Sequence, residues 1–399
     1  MVTRTTNMSL SAKRESLARI HGRYQRAGRP HKSRILSEFC ATCGYHPKSA
    51  LRLLNQPLRT TPAKRSGPKV IYDPVEVLPV LKSVWLASDQ LCSKLLKAAL
   101  PEWLEHYERR SAPLPEAFKK KLLKISPAQI DRLLRPSRVQ HPKKGHSTTR
   151  PGTILRHAVP TRGGPPDTSK PGSVEADTVA HCDDSTEGDY VNSLTFTELY
   201  SGWTENRAVW NKSAAAVLVE LKALEKVVPY AMKDFHTDNG GEFLNWALHK
   251  HLTGRAARLP WTRSRAYRKN DNAHCEQKNW THVRQLFGHD RFEHPELVAL
   301  MNDLYSQEWS QFTNHFKPTF KLLKREKKDG KTKRVYETTP KTPYQRLLES
   351  PDIPEATKAK LRAQHAQLDP FELKKNIELK LRKFFTALGN LNREATKLQ

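Results

Sequence analysis

The chain has 399 residues, with 69 Lys and Arg against 41 Asp and Glu and a formal net charge of +28. Its length predicts two or three domains; no apolar run approaches the roughly 18 residues of a membrane span, and the N-terminal stretch lacks the apolar centre of a secretory signal. An intracellular, cytoplasmic protein with no membrane partner is therefore expected, and five cysteines, an odd number, argue against a disulfide framework. The charge is unevenly spread. Residues 1–172 hold 33 basic against 11 acidic residues, residues 173–289 hold 14 against 15, and residues 290–399 hold 22 against 15. Two basic flanks around a nearly neutral centre predict a polyanion held by the ends while the middle makes use of its acids.

Residues 11–55 read as helices. The stretch "HKSRILSEFCATCGYHPKSALRLLN" has the layout of a helix-turn-helix, with Leu36, Phe39, Cys40 and Cys43 inward, Gly44 at the turn, and Ala50 and Leu53 packing back. Lys48 and Arg52 then stand free to reach DNA, so residues 1–60 are read as a helix-turn-helix DNA-binding domain. Residues 61–135 predict a second helical DNA-binding unit with Trp85, Leu86, Leu95, Leu96, Trp103 and Leu104 as core candidates. Ser126, Pro127 and Gln129 mark a helix start within it. Residues 136–172, rich in Pro, Gly, Ser, Thr and basic residues, predict a basic linker ending near Gly172.

Beyond it, "SVEADTVAHC", "YVNSLTFTELY" and "WTENRAVWN" read as strands, and the turns "STEGD" and "SGW" predict antiparallel hairpins. Then come a helix "KSAAAVLVELKALEKVV", a strand "AMKDFHTD", a helix "EFLNWALHKHL", a short strand "ARLPW" and a helix "NAHCEQKNWTHVRQLFG". The predicted fold class is multidomain: an α-helical N-terminal region, a central α/β core (residues 173–289) with a mixed five-stranded sheet, and a basic C-terminal region (residues 290–399) of helices that binds DNA. In the last, "KPTFKLLKREKKDGKTKRVYETTPK" is read either as a β-hairpin turning at Asp329-Gly330 or as a basic loop.

Three acids fall at corners of the predicted sheet. Asp238 ends the fourth strand, before Asn239-Gly240-Gly241; reactive groups of open α/β sheets gather beyond the carboxyl ends of strands, although an Asp-Asn-Gly turn alone is only a turn. Asp177 lies mid-strand, where a carboxylate is costly unless paired, protonated or bound to metal; a strand-end acid capped by backbone amides is the alternative. Glu276 begins the stripe Trp280, Val283 and Phe287, at offsets of four, seven and eleven, and is expected to face the sheet. Hard oxygen donors converging at one sheet edge suit Mg²⁺ or Mn²⁺ rather than zinc. Two such ions about 3.5–4 Å apart serve in-line phosphoryl transfer.

"EADTVAH", "HTDNGGEF" and "NDNAHCEQKNWTHVR" resemble the Asp, Asp and Glu blocks of DDE recombinases, the transposases of bacterial insertion sequences and the retroviral integrases. The resemblance covers about residues 173–289, and the helix-turn-helix start and the "KTPYQRLL" tail also look like insertion-sequence transposases. It implies an RNase H-like core in which Asp177 bridges two Mg²⁺ or Mn²⁺ ions while Asp238 and Glu276 hold one each. It further implies cleavage of a phosphodiester by an activated water and attack of the exposed 3′-OH on target DNA. The implied partners are double-stranded DNA, at the element's terminal inverted repeats and at the target, and further copies of the chain assembled on that DNA. One departure is Glu198, where relatives often carry Asp; it is read as peripheral, and Asp183, Asp184 and Asp189 as turn acids.

The segment "RSRAYRKN" precedes the helix of Glu276. Arg263, Arg265, Arg268 and Lys269 are expected on a phosphate backbone, with Tyr267 available to a splayed base and Lys278, Asn279 and Arg284 extending the surface. Cys40 and Cys43 lack a second ligand pair and are read as core, and the dipeptides His181-Cys182 and His274-Cys275 as packing.

Overall fold

The computed structural model describes residues 8–58, 71–140, 159–162, 166–255, 258–265, 272–328 and 331–398. The chain divides into two units, Met1–Ile71 and Tyr72–Gln399.

In the first unit, α1 (Leu10–Arg26), α2 (Arg29–Cys43) and α3 (Pro47–Asn55) enclose Tyr24, Ile35, Phe39, Cys43, Ala50 and Leu54. Gly44 stops α2 at φ 67°, its N–H donating to the Cys40 carbonyl, a left-handed position that glycine adopts without steric cost. Pro47 opens α3, so residues four apart stack on one face, and Leu54 rather than Leu53 completes the core with Ala50. Leu36 and Cys40 are half-buried at its margin. Lys48 and Arg52 are exposed on α3.

The second unit begins with α4 (Pro74–Ala87), α5 (Ser93–Arg110), α6 (Glu116–Leu123) and α7 (Pro127–Gln140), the last capped by Ser126 Oγ accepting from the Gln129 N–H. Five strands follow: β1 (Ser173–Ala180), β2 (Val191–Glu198), β3 (Thr204–Trp210), β4 (Asp234–Thr237) and β5 (Trp261–Arg263). Their order is β3-β2-β1-β4-β5. The β1–β2 and β2–β3 pairs are antiparallel, and the β1–β4 and β4–β5 pairs parallel. The mixed five-stranded sheet expected from sequence is present, with β5 beginning where the predicted fifth strand ends. Between strands lie α8 (Ala214–Val227) and α9 (Trp246–Thr253), whose Val217, Leu221, Leu224, Leu248 and Leu252 share an apolar layer with Val174, Ala176, Phe196 and Phe235 of the sheet.

A helix made of α10 (Ala273–Lys278), a π-helical segment (Asn279–Arg284) and α11 (Gln285–Phe287) contacts β1 and β2. After it come α12 (Glu296–Leu304), a second π segment (Tyr305–Trp309) and α13 (Ser310–Phe316). The basic stretch forms a hairpin, β6 (Leu322–Lys328) and β7 (Lys331–Tyr336), paired antiparallel. The chain finishes with α14 (Pro343–Glu349), α15 (Glu355–Ala366) and α16 (Pro370–Leu398). Helices α4–α7 share one core with α12, α13 and α16: Trp103 packs edge-on against Phe312 and Phe371, at ring distances of 6.2 and 5.2 Å, and its indole N–H donates to the Phe316 carbonyl. Arg346 on α14 donates to Ser201 O, Thr319 and Glu337, tying the "KTPYQRLL" helix to the β2–β3 turn and the hairpin base. Among the described residues no helix is long and apolar enough to cross a membrane.

Gly172 starts β1 at φ 122°. A Cβ there would lie 2.7 Å from the Ala231 carbonyl oxygen and 2.8 Å from Lys233 Cγ. Gly172→Ala should therefore destabilise the chain by about 1–3 kcal/mol in urea unfolding. Gly241→Ala, where nothing lies within 4 Å of the added carbon, should stay within about 0.5 kcal/mol of the parent. Equal effects would contradict this account of the β1 entry.

Candidate active site

The site is set by strand register. β1 and β4 run parallel with Ser173 opposite Asp234 and Ala176 opposite Thr237. The next residues on the two strands are Asp177 and Asp238. Adjacent strands lie about 4.8 Å apart, so the pairing delivers two carboxylates side by side at the carboxyl end of β4. Burial, first, and the Asp238 carboxylate, second, push the Asp177 carboxyl well above its ordinary range, with Glu242 adding to it. Burial and Glu242 raise Asp238 to about 6, opposed by the Gly240 N–H and by Lys212.

Each acid is held in place. Asp177 accepts from the Thr178 N–H at 2.9 Å and from Asn279 Nδ2 at 2.7 Å. Asp238 accepts from the Gly240 N–H at 2.9 Å. The turn behind it is pinned to β5, because Asn239 donates to the Ser264 carbonyl and accepts from Arg263 Nη1 at 3.0 Å. A Cβ on Gly240 would come within 2.5 Å of the Glu242 carboxylate, so a larger residue there would require that side chain to shift. Glu175, on the same strand face as Asp177, is occupied by Arg162 at 2.9 Å.

Glu242 is a member of this cluster that sequence reasoning missed. It is buried, accepts from Thr178 Oγ1 at 2.6 Å and lies 3.4 Å from Lys212 Nζ. The sequence assigned it to the first turn of a helix, where an acid needs no further explanation. Asn245 instead caps α9 at Trp246, leaving Glu242 in the loop. Its position four residues after Asp238, inside the same glycine turn, was the available signal.

Glu276 is exposed, and the expectation that it points into the sheet is corrected. The i→i+5 bonding of the π segment turns the chain less per residue than an α-helix. Four-residue spacing therefore stays in phase, and Cys275, Asn279, Val283 and Phe287 form the inward stripe. Cys275 reaches the Glu175 and Thr195 carbonyls, and Asn272 donates to the Ala176 carbonyl. Asn272 and Asn279 thus both touch β1, at the Ala176 carbonyl and at Asp177.

The remaining candidates are placed as follows. Arg263 donates to the Val159 carbonyl as well as to Asn239, and Arg284 to the Ala180 carbonyl at 2.8 Å, so both guanidinium groups are used within the fold. Lys278 is half-buried, and desolvation lowers its ammonium to about 7. Arg265 is exposed. Tyr267, Arg268 and Lys269 lie outside the described residues. Glu198 clamps the β2–β3 turn by accepting from the N–H groups of Gly172, Tyr200 and Ser201. Asp183, Asp184 and Asp189 are exposed in the β1–β2 connection. His181 hydrogen-bonds Ser193 and stacks on Phe292.

Among the described residues no group of three or more His, Cys, Asp or Glu side chains is arranged to hold a metal ion. The Asp177–Asp238 pair nonetheless suits a hard divalent cation, since its donors are carboxylate oxygens whose mutual repulsion such a cation relieves.

No family model matches the chain. It is 37% identical over 319 residues to the uncharacterized protein y4rM of Sinorhizobium fredii (strain NBRC 101917 / NGR234), covering 79% of this chain and 89% of that one. Among solved structures it is similar to the simian T-cell lymphotropic virus intasome in complex with the PP2A regulatory subunit B56 gamma (15% identity, TM-score 0.31, 63% of this chain and 75% of that chain). It is also similar to the HTLV-2 integrase catalytic core domain in complex with magnesium (13%, TM-score 0.28, 41% and 95%) and to the BIV integrase catalytic core domain (15%, TM-score 0.26, 43% and 91%).

Because Asp238 keeps its proton in the fold up to about pH 6, the folded chain holds a proton that the unfolded chain releases near pH 4. Stability in metal-free buffer should fall as pH rises through that window and stay low above it. Asp238→Asn should flatten this decline and stabilise the chain by about 1–3 kcal/mol at pH 7.5, read from urea unfolding at several pH values. An unchanged decline would contradict the coupling of the two acids.

Proposed function

This chain belongs to the same family as the Sinorhizobium fredii protein y4rM, and we propose that it is a DDE-type polynucleotidyl transferase, the transposase of an insertion sequence. The observation that carries the proposal is the in-register placement of Asp177, within β1, beside Asp238, just past the end of the adjacent parallel strand β4, under the helix that bears Glu276. The strand order β3-β2-β1-β4-β5, with its first three strands antiparallel and the rest parallel, supports an RNase H-like core.

In this reading Asp177 and Asp238, with Glu276 from α10, hold Mg²⁺ or Mn²⁺, two ions in the full site. A divalent cation so held supplies Lewis-acid stabilisation of the attacking and departing oxygens of a phosphodiester. The protein's own part is positional. Asn279 and the Thr178 N–H fix the Asp177 carboxylate, the Gly240 N–H fixes that of Asp238, and Arg263 braces the turn between them. Such bracing pre-arranges negative charge where a cation and a phosphate must meet, with little reorganisation at the moment of reaction. A water, and then a DNA 3′-OH, would attack in line, with no covalent protein intermediate. Lys48 and Arg52 on α3, in a helix-turn-helix, are the proposed readers of the element's terminal inverted repeats, and Arg265 a contact to the DNA backbone. Joining two element ends calls for more than one copy of the chain on the DNA.

The test uses the full chain, Mg²⁺, a labelled terminal-repeat duplex and a plasmid target. Asp177→Asn, Asp238→Asn and Glu276→Gln should each lower joined product more than about a hundredfold while leaving duplex binding intact. Joining that survives in these variants, or DNA binding without any strand breakage by the parent, would overturn the proposal. Cleavage without joining would make the chain a nuclease.

A further inference from the structure

The connection between β3 and α8 presents a feature that the proposed chemistry leaves unused. Asn211 and Lys212 both adopt left-handed backbone conformations, at φ 55° and 28°, unusual for residues with side chains. The bend is fastened: the Asn211 N–H donates to the Tyr190 carbonyl, and Asn211 Oδ1 accepts from the Tyr190 N–H, each at 3.1 Å. Its result is to aim Lys212 across the face of the sheet, with Nζ 3.4 Å from Glu242. Glu242 is in turn fixed by Thr178, the residue after Asp177, and packs on the backbone of Gly240, two residues after Asp238.

We propose that Glu242 and Lys212 are positioning residues that set the charge of the acid pair, with Lys212 an internal counter-cation competing with the divalent ion and Glu242 an anion reinforcing it. The inference rests on the transferase reading of Asp177 and Asp238. With all three carboxylates ionised, the cluster Asp177, Asp238, Glu242 and Lys212 carries a net charge of −2, which one divalent cation neutralises. Removing Lys212 makes it −3, and removing the charge of Glu242 makes it −1. The influence of Lys212 on Asp238, whose carboxyl it draws back towards the ordinary range, agrees with this electrostatic contact. Neither residue need touch the cation: charges several ångströms away act through the field, weakened by solvent on the partly exposed Lys212 side.

The consequence is a pair of effects of opposite sign, which a purely structural role would not produce. In titrations of the full chain with Mn²⁺, followed by the electron paramagnetic resonance of free Mn²⁺, Lys212→Gln should tighten binding about threefold to tenfold and Glu242→Gln should weaken it by a similar factor. The double variant should return near the parent value. Metal-induced shifts in Tm should follow the same order, with the metal-free Tm showing that each variant folds. If Glu242→Gln does not fold, the direction of the Lys212→Gln effect decides alone. Weaker or unchanged binding in Lys212→Gln would overturn the inference. So would a loss in Glu242→Gln as complete as that in Asp177→Asn, which would make Glu242 a ligand. Asp177→Asn separates the two readings: if it binds Mn²⁺ as the parent does, the metal site itself is misassigned. If it loses binding while the two charge variants show no opposed effects, only the inference fails.

Discussion

Two carboxylates brought side by side by parallel strand pairing are the constraint around which the five-stranded sheet is arranged. The β1–β4 register, which ends at Ala176 opposite Thr237, sets Asp177 beside Asp238 at the mouth of the following turn. Partial burial then weakens the screening of their repulsion by water. A protein optimised only for stability would place apolar residues there, as it does one position earlier at Ala176 and on the neighbouring strand at Leu194. Instead the surrounding elements provide hydrogen-bond donors, an amide from α10's continuation and backbone N–H groups of Thr178 and Gly240, while an ammonium from the β3–α8 bend pairs with the neighbouring Glu242. Stability is given up locally and kept as a preformed demand for positive charge.

The helix above β1 shows how a local irregularity serves that arrangement. A regular α-helix from Ala273 to Phe287 would rotate Val283 and Phe287 into register with Glu276, burying an acid against the sheet. The π segment shifts the phase, so that Cys275 and Asn279 face inward while the Glu276 side chain is exposed. Cys275 is small enough to let the helix approach the backbone of β1 and β2, where its thiol meets two carbonyl oxygens. Asn279 then spans the remaining gap to Asp177.

Much of the fold was legible in the sequence. Alternating apolar residues located β1, β2 and β3, and turn residues located their hairpins; the alanine- and leucine-rich run located α8. Capping chemistry gave the start of α7 at Ser126. The hairpin of β6 and β7 was one of two readings, because its strands are dominated by Lys and Arg and carry little apolar pattern. Asp177 stood out because a mid-strand carboxylate violates a local rule for its element, and Asp238 because it ends the fourth strand, although its Asp-Asn-Gly turn obeys one. Glu242 did not, since an acid before a helix obeys one. The facing of Glu276 was misread for a different reason: a 3.6-residue period was assumed across a segment that has none. The sharing of one core by α4–α7 and the C-terminal helices, through contacts such as Trp103 with Phe312, joins residues some two hundred positions apart and leaves no local trace.

The central claim is that Asp177 and Asp238 take up a divalent cation together with Glu276. Anomalous diffraction from crystals of the full chain grown with Mn²⁺ tests it most directly. The account predicts a manganese peak between the Asp177 and Asp238 carboxylates, within about 2.0–2.6 Å of their oxygens, with the Glu276 side chain turned in to the same ion or to a second one beside it. Manganese absent from this pair, or bound there while Glu276 stays directed away in every copy with DNA present, would contradict it.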